Sequence, residues 1–406
     1  MKNINHLIIL LYSFCSGATF YSPILRIGNA TLFDFLSIIY IALNWNSVKI
    51  IFYNYRKLFT YILCFFGVLL FSSLFNSIYI YNTTSNFVSL IRYPVFILIF
   101  VVFSDYLTKK NSSIYYVIWP FALGIIYISI SQWIYAYALG ITIFQTGEQF
   151  QFFGLDYLHD QSTLTGSYIA INPNDIGVVS AMIYPLLYLI ISDSRQSTSL
   201  AKSIVYLIII YFLVTMYFTG QKTGMIPIFI LIAFIFYDQI YPIKPYKTFL
   251  IFSSIIALIY FTPENIFNFK IENIFNYINQ RFSRIDSITS RLELKVMALE
   301  IFSSNPIFGG GQDGFQIKYG TNNPHDWNFQ VLSETGLIGL FFYLIIMVYI
   351  AKIIQNNYGN KFLLLYMLIF IVVSSAGGSN FNAHPFWVTA SFLASYNIYI
   401  QNKQLL

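Results

Sequence analysis

Long apolar runs, each near the length that crosses a bilayer, recur from one end of this chain to the other. About 20 apolar residues in a helix span the hydrocarbon core, and a backbone group inside that core needs a partner within the protein. Roughly twelve runs can be drawn, at about 5–25, 31–46, 58–77, 87–105, 113–140, 170–192, 202–219, 223–238, 247–262, 335–351, 361–376 and 384–400. They are continuous, without the short alternating segments of a membrane β-barrel. Charged residues make up 9% of the chain, against about 25% in soluble domains. The sequence therefore predicts an all-α, polytopic membrane helical bundle of about 12 transmembrane helices, one membrane domain over 1–406. The opening MKNINHLIILLYSF has the charge of a signal peptide but no small-residue cleavage site, and reads as a retained first helix.

Charge sets the expected orientation. With the N-terminus inside, the inner segments hold Lys2, Lys49, Arg56, Lys57, Lys109, Lys110, Arg195, Lys202, Lys244, Lys247, Lys352, Lys361 and Lys403. Every inner loop then carries a cation, as the positive-inside rule requires. The first long outer loop holds Glu148, Asp156 and Asp160. Both termini are expected in the cytoplasm, and the long loop at 263–334 outside. The net charge of +6 is dispersed over short loops, with no stripe that would fit nucleic acid. Cys15 and Cys64 lie in apolar runs, and the four histidines are scattered. No disulfide framework or metal spacing is present.

The candidate chemistry gathers at the expected outer face. Arg92 lies about five residues inside the outer end of its run, where a charge costs roughly 2.5–3.5 kcal/mol on insertion scales. It is a functional candidate, or it snorkels to the headgroups. Asn174, in INPNDIG, opens another run. It caps that helix, or the bare N-terminus takes an anion or a sugar hydroxyl. Lys222, in the short turn GQKTG, stands at the head of a helix, where a cation opposes the dipole unless an anion is bound. A solvated turn lysine is the plainer reading.

The long loop is the one extended polar stretch. Ser290 and Glu293 have capping-box spacing, so an amphipathic helix is expected near 290–304, on the membrane surface. Leu292, Val296 and Leu299 share one face; Arg291, Lys295 and Ala298 share another. Two cations at i and i+4 suit a diphosphate or lipid headgroups equally. Gly309, Gly310, Gly311 and Gly314 permit close backbone approach, without the lysine and serine of a nucleotide loop. His325, beside Asp326, is a candidate general base or phosphate ligand. Asp326 and Glu334 are rivals for the base.

These residues together resemble the O-antigen ligase and polymerase family of bacterial envelope glycosyltransferases. The pattern is an arginine helix, P-x-x-G-x-G, a histidine, then E-x-G-x-x-G. It falls here on Arg291, Pro306, Gly309, Gly311, His325, Glu334, Gly336 and Gly339. About fifty residues match closely. The ligase branch follows its histidine with Asn, Ser or Gln; Asp326 departs from this and favours the polymerase branch. The family's Ser-Arg after the seventh span is Gln221-Lys222 here.

The resemblance implies a GT-C-like helical glycosyltransferase of the bacterial inner membrane, active on the periplasmic face without metal or cofactor. It implies a polymerase that moves an undecaprenyl-diphosphate-linked glycan onto a new lipid-linked repeat unit. His325, Arg291 and Arg92 are then the expected catalytic residues. Lys222, Lys295, Asn174, Asp326, Glu334 and Gly311 are the expected substrate-binding ones. Lipid-linked oligosaccharides and membrane lipid are the implied partners, and a chain-length regulator protein is a candidate partner. A ligase acting on lipid A–core is the nearest alternative. A flippase or secondary transporter is the alternative from another class, but it should hold its charges near the midplane on broken helices.

Overall fold

The computed structural model describes residues 2–18, 26–27, 30–76, 92–109, 114–138, 173–192, 198–219, 222–240, 286–312, 314–320, 324, 326–376 and 386–395. Among these the secondary structure is helical, apart from a short antiparallel pairing of β1 (Arg26–Ile27) with β2 (Ala30–Thr31). The helices of the first half are α1 (Lys2–Ala18), α2 (Leu32–Leu43), α3 (Trp45–Asn54), α4 (Arg56–Asn76), α5 (Arg92–Thr108) and α6 (Tyr115–Ala138). They are followed by α7 (Pro173–Ser192), α8 (Ser199–Thr219), α9 (Lys222–Ile240), α10 (Asp286–Ser304), α11 (Gly314–Tyr319) and α12 (Trp327–Ala376), and by α13 (Phe386–Ser395). The expected run at 247–262 lies outside the described residues.

The chain is an integral membrane protein. Three described helical stretches, Arg56–Asn76, Ser199–Met216 and Trp327–Ser375, are long and apolar enough to cross a membrane; α2 and α3 make a fourth if that bent pair is one span. Apolar stretches of 10–17 described residues lie in α1, α5, α6, α7, α9 and α13. α7 is buried continuously from Gly177 to Ile191 and packs against α6, α8, α9 and α12. α1 lies along α6, and α4 along α12.

One element differs from the sequence reading. The second run does not end in a loop near residue 46; α2 stops at Leu43, turns at Asn44, and continues as α3 at 103°. The cause is amphipathicity. α3 buries Val48 and Ile51 and leaves Trp45, Ile50 and Tyr53 exposed. Lys49 sits 5.3 Å above the Trp45 ring and Arg56 5.3 Å above that of Tyr53, an arrangement suited to a membrane interface.

α12 is not one straight helix: it is interrupted at Gly336, where φ is 62°, and turns back at Gly359, where φ is 82°. Trp327 and Phe370 would stand roughly 60 Å apart on one straight helix, yet their ring centroids are 5.5 Å apart. The chain therefore runs down, turns at Gly359 and returns, as the separate runs at 335–351 and 361–376 require.

This return defines two ends of the bundle. Asp238, near the end of α9, pairs with Lys361 just past the turn and accepts a hydrogen bond from Tyr188 of α7. The starts of α7 and α9 therefore lie toward the opposite end, where α12 begins. Tyr55, just before α4, and Asn357, just before the Gly359 turn, both donate to Ala394 O. Phe100 of α5 meets Tyr55 and Phe59, and Lys109, just past α5, meets Asn44 before α3. α5 therefore ends near that turn, and its start points toward the start of α12.

Candidate functional site

α10 begins at Asp286, a turn earlier than the capping box proposed. Ser290 is therefore inside the helix and not its N-cap residue; the sequence has an acidic residue, Asp286, at the helix start, as the dipole favours. Ala298 and Ile301 are buried against Phe315 of α11, with Leu294, Met297 and Phe329 beside them. Leu292, Val296 and Leu299 remain exposed. The face carrying Lys295 and Ala298 is thus the one turned into the protein.

After α10 the chain makes a clasp with α12. The N–H of Gly310 donates to Ser333 O at 2.7 Å, and that of Gly311 to Glu334 O at 2.9 Å. In return the N–H of Leu337 donates to Pro306 O at 2.9 Å and that of Ile338 to Ile307 O at 3.3 Å. Gly309 and Gly336 both have positive φ, 71° and 62°. A Cβ on Gly309 would collide with the Glu334–Thr335 peptide, and one on Gly336 with the Ile307 carbonyl. Each glycine motif is the other's hydrogen-bonding surface. The break at Gly336 frees backbone groups of α12 that the loop then satisfies.

The clasp rests on α4. Ser72 Oγ donates to Glu334 O at 3.0 Å and Gly309 O at 3.3 Å. Asn76 Nδ2 donates to Gly309 O at 3.0 Å and Ser72 O at 2.8 Å. Ser73 Oγ accepts the Gln312 N–H at 2.9 Å. Gly311 lies so close that an added Cβ would stand 2.9 Å from Ser73 Cα. The N–H groups of Gly309, Gly310, Gly311 and Gln312 all go to protein acceptors. The glycines thus serve close packing, and their amides are not directed at a ligand. Sequence reasoning missed Ser72, Ser73 and Asn76, although three polar residues at the end of an apolar span were the available signal.

Asp326 is the N-cap of α12. Its Oδ1 accepts from the N–H groups of Asn328 at 3.0 Å and Phe329 at 3.3 Å, the usual capping geometry. Its Oδ2 pairs with Lys295 Nζ at 3.0 Å, and that ammonium stands 5.4 Å from the Phe329 ring centroid. Lys295 and Asp326 therefore engage each other. Glu334 is nearly buried; its carboxylate accepts a 2.8 Å hydrogen bond from Gln330 Nε2, one turn earlier in α12, while its backbone carbonyl joins the clasp.

Of the other expected residues, the backbone places Arg92 first in α5, Lys222 first in α9 and Asn174 in the first turn of α7, just after Pro173. All three helix starts lie toward the clasp end of the bundle. Arg291 lies in α10, which packs against α12. His325 lies outside the described residues, between Pro324 and the capping Asp326.

No curated protein matches the chain. Residues 207–344 match the family model described as O-antigen ligase. That stretch, roughly a third of the chain, runs from α8 through the clasp into α12. It includes both glycine motifs, and over that stretch the chain is similar to the O-antigen ligase family.

Proposed function

We propose that the protein is an envelope polysaccharide polymerase of the bacterial inner membrane, with about twelve transmembrane helices in a GT-C-like bundle and both termini cytoplasmic. It transfers a glycan from undecaprenyl diphosphate to a new lipid-linked repeat unit at the periplasmic face. An acceptor hydroxyl oxygen bonds to the anomeric carbon, the bond from that carbon to the diphosphate breaks, and its electron pair leaves with the diphosphate. His325 takes the hydroxyl proton as general base. Arg291, Arg92 and Lys222 supply positive charge to the departing diphosphate, so no metal is required. Asn174, in the first turn of α7, meets a sugar hydroxyl. Lys295 and Asp326 fix the start of α12 beside His325, while Gly311 and Glu334 hold the clasp.

The clasp supports this reading most. It ties the Arg291 helix to the head of α12, next to His325 in sequence, at the end of the bundle where α5, α7 and α9 begin. A ligase is the second reading, favoured by the description of the matched family. Asp326 weighs little between the two, since Asn and Ser cap helices equally well; what it adds is the ion pair with Lys295.

Deleting the gene, then profiling surface lipopolysaccharide on gels together with the lipid-linked glycans, separates the readings. Core carrying one repeat unit is the polymerase result. Bare core with long glycan stranded on undecaprenyl diphosphate is the ligase result. Bare core with single units held on the cytoplasmic side would indicate a flippase and overturn the proposal.

A further inference from the structure

We infer, resting on the transferase reading above, that Ser72 and Asn76 of α4 are positioning residues for glycosyl transfer, holding the Gly309 and Glu334 carbonyls so that the Arg291 helix and the head of α12 keep one relative geometry. Ser72 and Asn76 are almost fully buried, at i and i+4 on one face of an otherwise apolar span. The two acceptors come from the two halves of the clasp: Gly309 O from the loop, Glu334 O from the turn before Gly336. One serine hydroxyl therefore bridges segments whose carbonyls face the same point. Asn76 has a fixed orientation, because both of its close backbone partners are carbonyls and only the NH2 group can serve them.

That orientation leaves Asn76 Oδ1 buried without a hydrogen-bond partner among the described residues. An apolar residue of the same size would avoid that cost. The amide is accounted for by the carbonyl it holds in place. α4 is remote in sequence from the motif region, and the described hydrogen bonds of Ser72 and Asn76 to that region go to the clasp. The expected consequence is on orientation. A shift of about 1 Å between catalytic groups can lower a rate on the order of 10²-fold.

The test uses the full-length protein in proteoliposomes supplied with a synthetic undecaprenyl-diphosphate-linked repeat unit. Ser72→Ala and Asn76→Ala should lower kcat per folded molecule on the order of 10²-fold while leaving KM nearly unchanged. Ser72→Thr, which keeps the hydroxyl, should restore most of the rate. Hydrogen exchange of peptides covering 305–312 and 333–338 should rise in both alanine variants. Variants that match wild type in kcat and in exchange would overturn the inference alone, as would a loss of activity strictly proportional to the loss of folded protein. A wild-type protein that makes no polymer would overturn the transferase reading, and this inference with it.

Discussion

The two ends of the bundle place positive charge differently. At the end away from the clasp, Lys109 follows the last turn of α5, where the helix dipole favours a cation. Its ammonium meets Asp105 Oδ2 at 2.7 Å, Asn44 Oδ1 at 2.7 Å and the Tyr40 hydroxyl at 3.1 Å. Tyr40 also donates to Asp105, and Asn44 joins Asn5 of α1. The cation is an internal rivet for α1, α2 and α5, and it holds the bend at Asn44. Lys361 does the same for α9 and α12 through Asp238. At the clasp end, Arg92 and Lys222 begin their helices, where the dipole opposes a cation and favours an anion. Lys109 and Lys361 close the fold at one end, as Lys295 does through Asp326 at the other; Arg92 and Lys222 differ in standing at helix starts, where an anion is favoured.

The comparison can be broken first at the reaction. Arg291→Ala and His325→Ala should each lower polymerisation 10²–10³-fold, roughly the loss expected for one group stabilising a transition state. Protein level and the unfolding midpoint in detergent should stay near wild type. Lys109→Ala should do the reverse. It strands the buried Asp105 carboxylate, at a cost of about 3 kcal/mol. It should lower the unfolding midpoint while activity per folded molecule persists.

Gly336→Ala tests the clasp itself. A side chain at φ 62° is strained, about 1–3 kcal/mol, and its Cβ meets the Ile307 carbonyl. Both stability and rate should fall, read by thermal unfolding and by polymer yield. Asp326→Asn should have the smallest effect. It keeps the cap and removes the ion pair with the partly exposed Lys295, about 1 kcal/mol or less. Its glycan profile should remain that of a polymerase. A switch to stranded long glycan would mean that this one charge selects the branch.

Helices were legible where apolar runs were long, because membrane thickness fixes their length. The α2–α3 bend was not, since Ile50, Ile51 and Phe52 continue the apolar composition past Asn44 and only the direction changes. The glycine motifs were visible as motifs. Their mutual hydrogen bonding was not, because it depends on positive φ at Gly309 and Gly336, and either motif alone reads as a flexible turn. Lys295 and Asp326 were each found as candidates, but sequence separation hid the pair they form. Ser290 and Glu293 have capping-box spacing, yet α10 already begins at Asp286, one turn earlier. Ser72 and Asn76 were overlooked as ordinary polar residues at the end of a span.

The most direct test of the central claim is glycan transfer by the purified protein in proteoliposomes, with lipid-linked repeat units as the sole substrate and a chelator present. The account predicts a ladder of polymers on lipid diphosphate, one undecaprenyl diphosphate released per added unit, and no ladder with Arg291→Ala. Intact single units alongside folded wild-type protein, or a ladder unchanged in Arg291→Ala, would contradict it.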